Sequence, residues 1–135
     1  MTHKELIIKA TEARMRSYSP YSNFEVGAAL LSRSGEVYLG CNIESAAFSP
    51  TCCAERTAFA KAVSEGQREF EAIAVVGAPK GKDPEGECAP CGVCRQVMAE
   101  FCSKDFKIVL GTEDSYTVYT FDNLLPKSFG PGYKF

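Results

Sequence analysis

The spacing of apolar and polar residues along the chain predicts alternating helices and strands. Apolar residues recur at roughly helical spacing over residues 3–17. Residues 70–77 form a nearly continuous apolar run, which is typical of a strand buried at the centre of a sheet. The predicted helices span 3–17, 53–64 and 91–102, and the predicted strands span 25–31, 36–41, 70–77, 106–110 and 116–119.

The order of these elements, αββαβαββ, predicts one sheet with helices packed on its faces. Strand–helix–strand connections through 53–64 and 91–102 make the central strands parallel, with right-handed crossovers. Only residues 111–115 separate the last two strands, and a parallel return needs a dozen or more residues, so this pair is antiparallel. The predicted fold class is α/β, with a five-stranded mixed sheet, helices on both faces and a single domain over residues 1–135.

The composition is that of an ordinary globular protein, with 45% hydrophobic and 24% charged residues. The formal net charge of -2 argues against a nucleic-acid partner, because phosphate binding needs clustered Lys and Arg. The sequence has no apolar run of membrane-spanning length and no signal peptide, so we expect a cytoplasmic protein without a membrane partner. Its 7 cysteines are an odd number and cannot all form internal disulfides, so metal ligation explains them better.

Two short motifs supply the residues that a catalytic zinc site requires. Cys53-Ala54-Glu55 and Pro90-Cys91-Gly92-Val93-Cys94 together contribute three thiols and one carboxylate. Three thiolates bind zinc and leave a fourth coordination position open, whereas a structural site closes its shell with a fourth protein ligand. Glu55 lies two residues from Cys53 and can act on protons at the open position. Helix N-termini are predicted at both motifs, and they stabilise thiolates.

Several residues near these motifs leave alternatives open. Cys52 competes with Cys53 as a ligand, although the Cys-x-Glu spacing favours Cys53. Arg56 can donate hydrogen bonds to a ligand sulfur and so offset the negative charge of zinc with three thiolates. The simpler alternative is an arginine solvated on the helix surface. The other cysteines are expected to be core or loop residues without a role in chemistry: Cys41, Cys88 and Cys102.

Several segments, in a fixed order, resemble the small zinc-dependent cytidine deaminases that act on free nucleosides. They cover essentially the whole chain and include both zinc motifs. The segments are Tyr18-Ser19-Pro20-Tyr21-Ser22-Asn23-Phe24 with Val26-Gly27-Ala28-Ala29-Leu30, Gly40-Cys41-Asn42-Ile43-Glu44-Ser45-Ala46, Cys53-Ala54-Glu55-Arg56, Pro90-Cys91-Gly92-Val93-Cys94-Arg95-Gln96, and Leu124-Leu125-Pro126 with Phe129.

The resemblance implies a layered αβα cytidine-deaminase-like fold and a role for each matching residue. Cys53, Cys91 and Cys94 would hold one Zn²⁺ per subunit, and Glu55 would be the general acid/base. The segment Asn42-Ile43-Glu44 would bind the nucleoside, because an amide and a carboxylate can accept hydrogen bonds from the ribose hydroxyls. Phe24 would pack against the pyrimidine ring. The family is usually homotetrameric, and the tail aromatics could bury against another subunit: Phe129, Tyr133 and Phe135.

The resulting hypothesis is hydrolytic deamination of cytidine and deoxycytidine to uridine and deoxyuridine, as in pyrimidine salvage. A deaminase of a cytosine-containing antibiotic is one alternative, since such enzymes share the zinc motifs. A redox protein of the thioredoxin kind is another, because Cys91 and Cys94 form a Cys-x-x-Cys motif at a helix start. That alternative leaves Cys53 and Glu55 without a role. The loop 77–89 is longer than the family pattern suggests, and its function stays open.

Overall fold

The computed structural model describes residues 1–131, so the predicted tail contacts of Tyr133 and Phe135 lie outside the described residues. The helices are α1 (His3–Ala13), α2 (Ala54–Ser64), α3 (Gly92–Phe101) and the short α4 (Phe121–Leu124). The strands are β1 (Phe24–Ser32), β2 (Val37–Cys41), β3 (Phe70–Pro79), β4 (Lys107–Thr112) and β5 (Ser115–Thr120). Within residues 1–131, none of the helices has both the length and the apolar character needed to cross a bilayer.

The strands within the described residues form one sheet in the order β2-β1-β3-β4-β5. β1 is antiparallel to both β2 and β3, β3 is parallel to β4, and β5 is antiparallel to β4. The mixed sheet and its antiparallel last pair are therefore confirmed. β2 and β3 also run in the same direction, but the hairpin strand β1 lies between them, so the connection through α2 passes over β1.

Helices cover both faces of the sheet, as the α/β fold class predicted. On one face, α1 packs Leu6, Ile7 and Ala10 against alternate residues of β1, β3 and β4. On the other face, α2 and α3 pack Ala58, Phe59 and Met98 against the intervening residues. The period of two along each strand divides the apolar residues between two clusters, one on each face of the sheet.

The first helix ends earlier than residue 17. α1 ends at Ala13 and continues as a 3-10 turn over Arg14–Arg16. Arg14 directly follows α1, and its buried guanidinium donates hydrogen bonds to the backbone carbonyls of Glu25 and Ala78 at 3.3 and 3.2 Å. A buried cation needs such partners, and helical spacing in the sequence does not reveal them.

Gly40 sets the distance between β2 and the helix that carries Glu55. A Cβ atom added to Gly40 would lie 2.3 Å from the carbonyl oxygen of Ala54 and 2.6 Å from the amide nitrogen of Ala58. Both atoms belong to the backbone of α2, so no side chain can move aside to relieve the contact. The first turns of α2 can therefore lie this close to β2 only over a residue without a side chain.

We predict that Gly40→Ala lowers the free energy of unfolding by about 1–3 kcal/mol, because α2 must shift away from the sheet. Urea denaturation followed by circular dichroism measures this change. Gly86→Ala is the matched control, since a Cβ added there meets nothing within 4 Å. Equal stability of the two variants would contradict the close approach.

Candidate active site

Three chain segments meet at one edge of the sheet. β2 and β3 run in the same direction and are followed by α2 and α3, while the antiparallel β1 begins at this edge. The starts of the two helices and the first residue of β1, Phe24, are therefore brought together. Such an edge, beyond the carboxyl ends of strands that run in the same direction, is where α/β sheets commonly place their chemistry.

Two of the cysteines are the N-cap residues of these helices. Cys53 precedes α2 and Cys91 precedes α3, and both have extended backbone dihedrals with no side-chain cap hydrogen bond. Their backbone carbonyls accept the first helical hydrogen bonds, from Thr57 at 3.1 Å and Arg95 at 3.0 Å. The side chains of Cys53 and Cys91 are thus left available for each other and for a ligand.

The three predicted thiols form one cluster. The Cys53 and Cys91 sulfurs are 3.7 Å apart, and those of Cys91 and Cys94 are 3.5 Å apart. All three sulfurs lie within 4.8 Å of one another. Thiolates about 2.3 Å from a tetrahedral zinc would be roughly 3.8 Å apart, so the donor set and its spacing fit zinc. Cys94 is buried and Cys91 is exposed, so the cluster opens toward solvent on one side.

Cys52 does not belong to this cluster. Its sulfur accepts a hydrogen bond from the Thr57 hydroxyl at 3.5 Å and lies 3.6 Å from the carbonyl oxygen of Cys53. Among residues 1–131, the group of potential metal ligands consists of Cys53, Cys91 and Cys94. The extended backbone before α2 turns the side chains of Cys52 and Cys53 in different directions. The structure thereby decides between two candidates that the sequence left open.

The protein environment shifts the pKa values of Cys53 and Cys94 in opposite directions. A hydrogen bond from the Cys94 thiol, assisted by Arg56 and Cys91, lowers the pKa of Cys53 to about 5. The pKa of Cys94 is raised by that same hydrogen bond and by burial. The Arg56 guanidinium lies 3.6 Å from the Cys53 sulfur and also donates to the carbonyl oxygen of Thr51 at 3.2 Å. Arg56 is therefore held against the Cys53 sulfur and is not solvated on the helix surface.

Glu55 lies in the first turn of α2 and is only 3% exposed. Burial raises the pKa of its carboxyl group to about 7, and the negative charge of Cys53 adds to the shift. A carboxyl group with a pKa near neutrality can both accept and donate a proton. The geometry therefore places a proton-transfer group beside a potential metal site.

The segment Asn42-Ile43-Glu44 joins the cluster to the start of β1. Ile43 exchanges backbone hydrogen bonds with Cys52 at 2.9 and 2.8 Å. The Glu44 carboxylate accepts hydrogen bonds from the amides of Tyr21 and Ser22 and from the Ser22 hydroxyl. These bonds, led by the Ser22 hydroxyl, lower the pKa of Glu44. Glu44 also lines a cavity of about 430 Å³ next to the exposed Phe48.

Asn42 has a structural function that the sequence did not reveal. Its Oδ1 atom accepts a hydrogen bond from the amide of Val26 at 2.9 Å, and its Nδ2 atom donates to the carbonyl oxygen of Phe24 at 2.9 Å. Ser17 donates a further hydrogen bond to the same Oδ1 atom. Much of the amide is thus used to hold the first residues of β1, and one N–H of Nδ2 is left for a ligand.

A family model described as the cytidine and deoxycytidylate deaminase zinc-binding region matches residues 1–111. The chain belongs to this deaminase family. A cytidine deaminase from Sporosarcina psychrophila is 49% identical over 130 residues, which cover 96% of this deaminase chain and 92% of that relative. The crystal structure of a cytidine deaminase from Burkholderia pseudomallei has a TM-score of 0.87 and 46% identity, covering 96% of this chain and 100% of that one.

A relative that is named for a different substrate, blasticidin S, has a lower sequence identity to this chain than the cytidine deaminase from Sporosarcina psychrophila. A blasticidin-S deaminase from Bacillus cereus is 29% identical over 128 residues, covering 93% of this chain and 90% of that relative. The zinc-binding region matched by the family model includes Cys53, Glu55, Cys91 and Cys94. Family membership and the thiol cluster together indicate zinc as the metal of this deaminase.

The cluster geometry predicts that Cys53→Ala abolishes stoichiometric zinc binding, because only two sulfurs of the cluster would remain. Cys52→Ala is the matched control, and it should keep its zinc since its sulfur faces Thr57. Elemental analysis of both purified variants measures the bound metal. Full zinc content in Cys53→Ala would assign the ligand to Cys52 instead.

Proposed function

We propose that the protein catalyses the hydrolytic deamination of cytidine and deoxycytidine to uridine and deoxyuridine, with release of ammonia. The observation that carries this proposal is the buried Glu55 beside three clustered thiols at the starts of two helices. Family membership and the similarity to cytidine deaminases support it. Cys53, Cys91 and Cys94 would hold one zinc ion per subunit. When bound, zinc would supply a Lewis acid that lowers the pKa of water from 15.7 to about 7.

Glu55 is the proposed proton carrier. It takes a proton from the attacking water as the water oxygen bonds to C4 of the pyrimidine, and it gives a proton to N3. It then carries the second water proton to the 4-amino group, so that the C4–N bond breaks and ammonia leaves. One carboxyl group can serve these steps because its pKa near 7 makes both protonation states accessible.

Other residues bind the substrate or balance charge in this proposal. Glu44 and the remaining N–H of Asn42 bind the ribose, and Ile43 fixes the backbone between them. Phe24, at the start of β1, packs against the pyrimidine. Arg56 offsets the negative charge that three thiolates bring, through its contact with the Cys53 sulfur.

We further propose a cytoplasmic homotetramer that acts in pyrimidine salvage as a single domain. An apolar groove of about 430 Å³ between α2 and α3 supports association, because Phe59, Val63, Val97 and Phe101 line it. Arg56 lies on the same groove, and its buried Nε atom has no hydrogen-bond partner within residues 1–131. In the proposed assembly, a neighbouring subunit supplies the acceptor.

Light scattering tests this assembly, with four chains of 14.7 kDa each as the expected mass. A groove buried between copies of the chain should also be sensitive to charge. Val97→Asp should therefore reduce the mass, since it would bury an unpaired carboxylate. A monomer mass for the unmodified chain would contradict the assembly.

An absorbance assay with cytidine, deoxycytidine and blasticidin S side by side tests the reaction itself. We expect turnover of both nucleosides by the zinc-loaded protein. Glu55→Gln should keep its zinc and lose kcat by about 10²–10⁴-fold, because the amide cannot shuttle protons. Turnover by Glu55→Gln at the unmodified rate would reject Glu55 as the proton carrier.

Two further results, one from this assay and one from metal and thiol analysis, would reject the proposed function. Activity on the antibiotic alone would favour that deaminase class. A metal-free protein that cycles between dithiol and disulfide at Cys91 and Cys94 would favour the redox alternative.

A further inference from the structure

The loop between β3 and α3 lines a cavity next to Phe24, and the proposed chemistry gives no role to the side chains of this loop. The cavity has a volume of about 660 Å³, and its walls are the loop, the first residue of β1 and the end of β3. Most of its lining is polar backbone and charged side chain. At one end, Phe24, Gly77 and Cys88 form an apolar wall.

Phe24 and Cys88 both pack against the backbone of Gly77, which has no side chain. A Cβ atom added to Gly77 would lie 2.7 Å from the Cys88 sulfur and 2.8 Å from Cε1 of Phe24. The thiol and the phenyl ring therefore occupy the space that a side chain at position 77 would fill. Because Phe24 is the proposed pyrimidine contact, Cys88 belongs to the wall of the same site.

The loop is tethered at two places before Cys88. Near the end of β3, Arg14 donates hydrogen bonds to the carbonyl oxygens of Pro79 and Lys82 at 3.3 and 3.2 Å. Directly before Cys88, the Glu87 carboxylate accepts a hydrogen bond from the Tyr119 hydroxyl at 2.7 Å. These contacts hold the backbone near Cys88 in place. The volume of the side chain at position 88 therefore determines how much space remains beside the wall.

The wall beside Phe24 is uncharged. Burial raises the pKa of the Cys88 thiol to about 11, and the charges of Glu55 and Cys53 add to the shift. At neutral pH the Cys88 side chain is therefore a small uncharged group next to the Phe24 ring.

The chemistry of cytosine decides which of its edges fits this wall. N1 carries the ribose, and C4 and N3 must face Glu55. The C2 carbonyl needs a hydrogen-bond donor, and burying it against a thiol and a phenyl ring would leave it unsatisfied. The C5–C6 edge presents only C–H groups and is the edge that an apolar wall accommodates.

We propose that Cys88 is a specificity-determining residue that bounds the C5–C6 edge of the base, so that side-chain volume at position 88 selects among 5-substituted cytosine nucleosides. This proposal rests on the proposed deaminase function. A smaller side chain at position 88 opens space for a substituent on C5, and a larger one closes it.

The test compares kcat/KM for 5-methylcytidine with kcat/KM for cytidine, in the zinc-loaded protein. Cys88→Ala and Cys88→Ser should raise this ratio roughly 10-fold or more, the discrimination that one methyl group in an apolar pocket provides. Cys88→Val and Cys88→Leu should lower it by a similar factor. Two variants in each direction keep the comparison possible if one of them fails to fold.

Cys102→Ala is the matched control, because Cys102 is the half-buried C-cap of α3 and does not line the cavity. Its substrate ratio should equal that of the unmodified protein. A variant that is merely destabilised loses activity on both substrates equally, and the ratio cancels that loss. Zinc content and thermal melting of each variant are measured alongside.

The assignment would be overturned if folded, zinc-loaded variants with smaller and with larger side chains at position 88 all kept the ratio of the unmodified protein. A change in the same direction for smaller and larger side chains would also overturn it. Failure of the unmodified protein to deaminate cytidine is a separate result, and it would reject the proposed function before the ratio is considered.

Discussion

Sulfur atoms from two chain segments lie within 4.8 Å of one another where two helices begin, and the rest of the site is arranged around them. Several thiolates this close repel each other, so the cluster depends on positive charge nearby. The N-terminal ends of α2 and α3 supply partial positive charge, and the Arg56 guanidinium adds a full charge 3.6 Å from the Cys53 sulfur. A divalent metal would supply the remainder. The same crowding that makes the thiol cluster costly without a metal makes it a suitable zinc site.

Holding the helix starts together requires a close fit between the helices and the sheet. Gly40 lets α2 approach β2 at backbone contact, and Gly27 does the same for α1 on the opposite face, with an added Cβ only 2.0 Å from the carbonyl oxygen of Ala10. Asn42 then ties the start of β1 to the segment that precedes α2. Phe24, Glu44 and the thiol cluster thus belong to one hydrogen-bonded frame, which explains how residues distant in sequence share one site.

Environment gives the same chemical group different properties across this protein. Cys53, beside Arg56 and the Cys94 thiol, has a pKa of about 5, whereas burial raises that of Cys88 to about 11. The first thiol is suited to bind a metal, and the second is suited to form an uncharged wall. Glu55 and Glu44 diverge in the same way: burial raises the pKa of Glu55, and hydrogen bonds from Ser22 and Tyr21 lower that of Glu44. Both pairs show that residue type alone does not assign a role.

The sequence by itself determined the order of the strands and longer helices, the mixed sheet and the two motifs that form the thiol cluster, because periodicity and short motifs are local properties that need no knowledge of the fold. It did not place β1 between β2 and β3, end the first helix at Ala13, or decide between Cys52 and Cys53. It also gave no signal that Cys88 meets Phe24 over Gly77, or that the Asn42 amide supports β1. These features depend on contacts between segments far apart in the chain, where backbone approach and burial, set only by tertiary packing, decide which side chains meet and which protonation state each one holds.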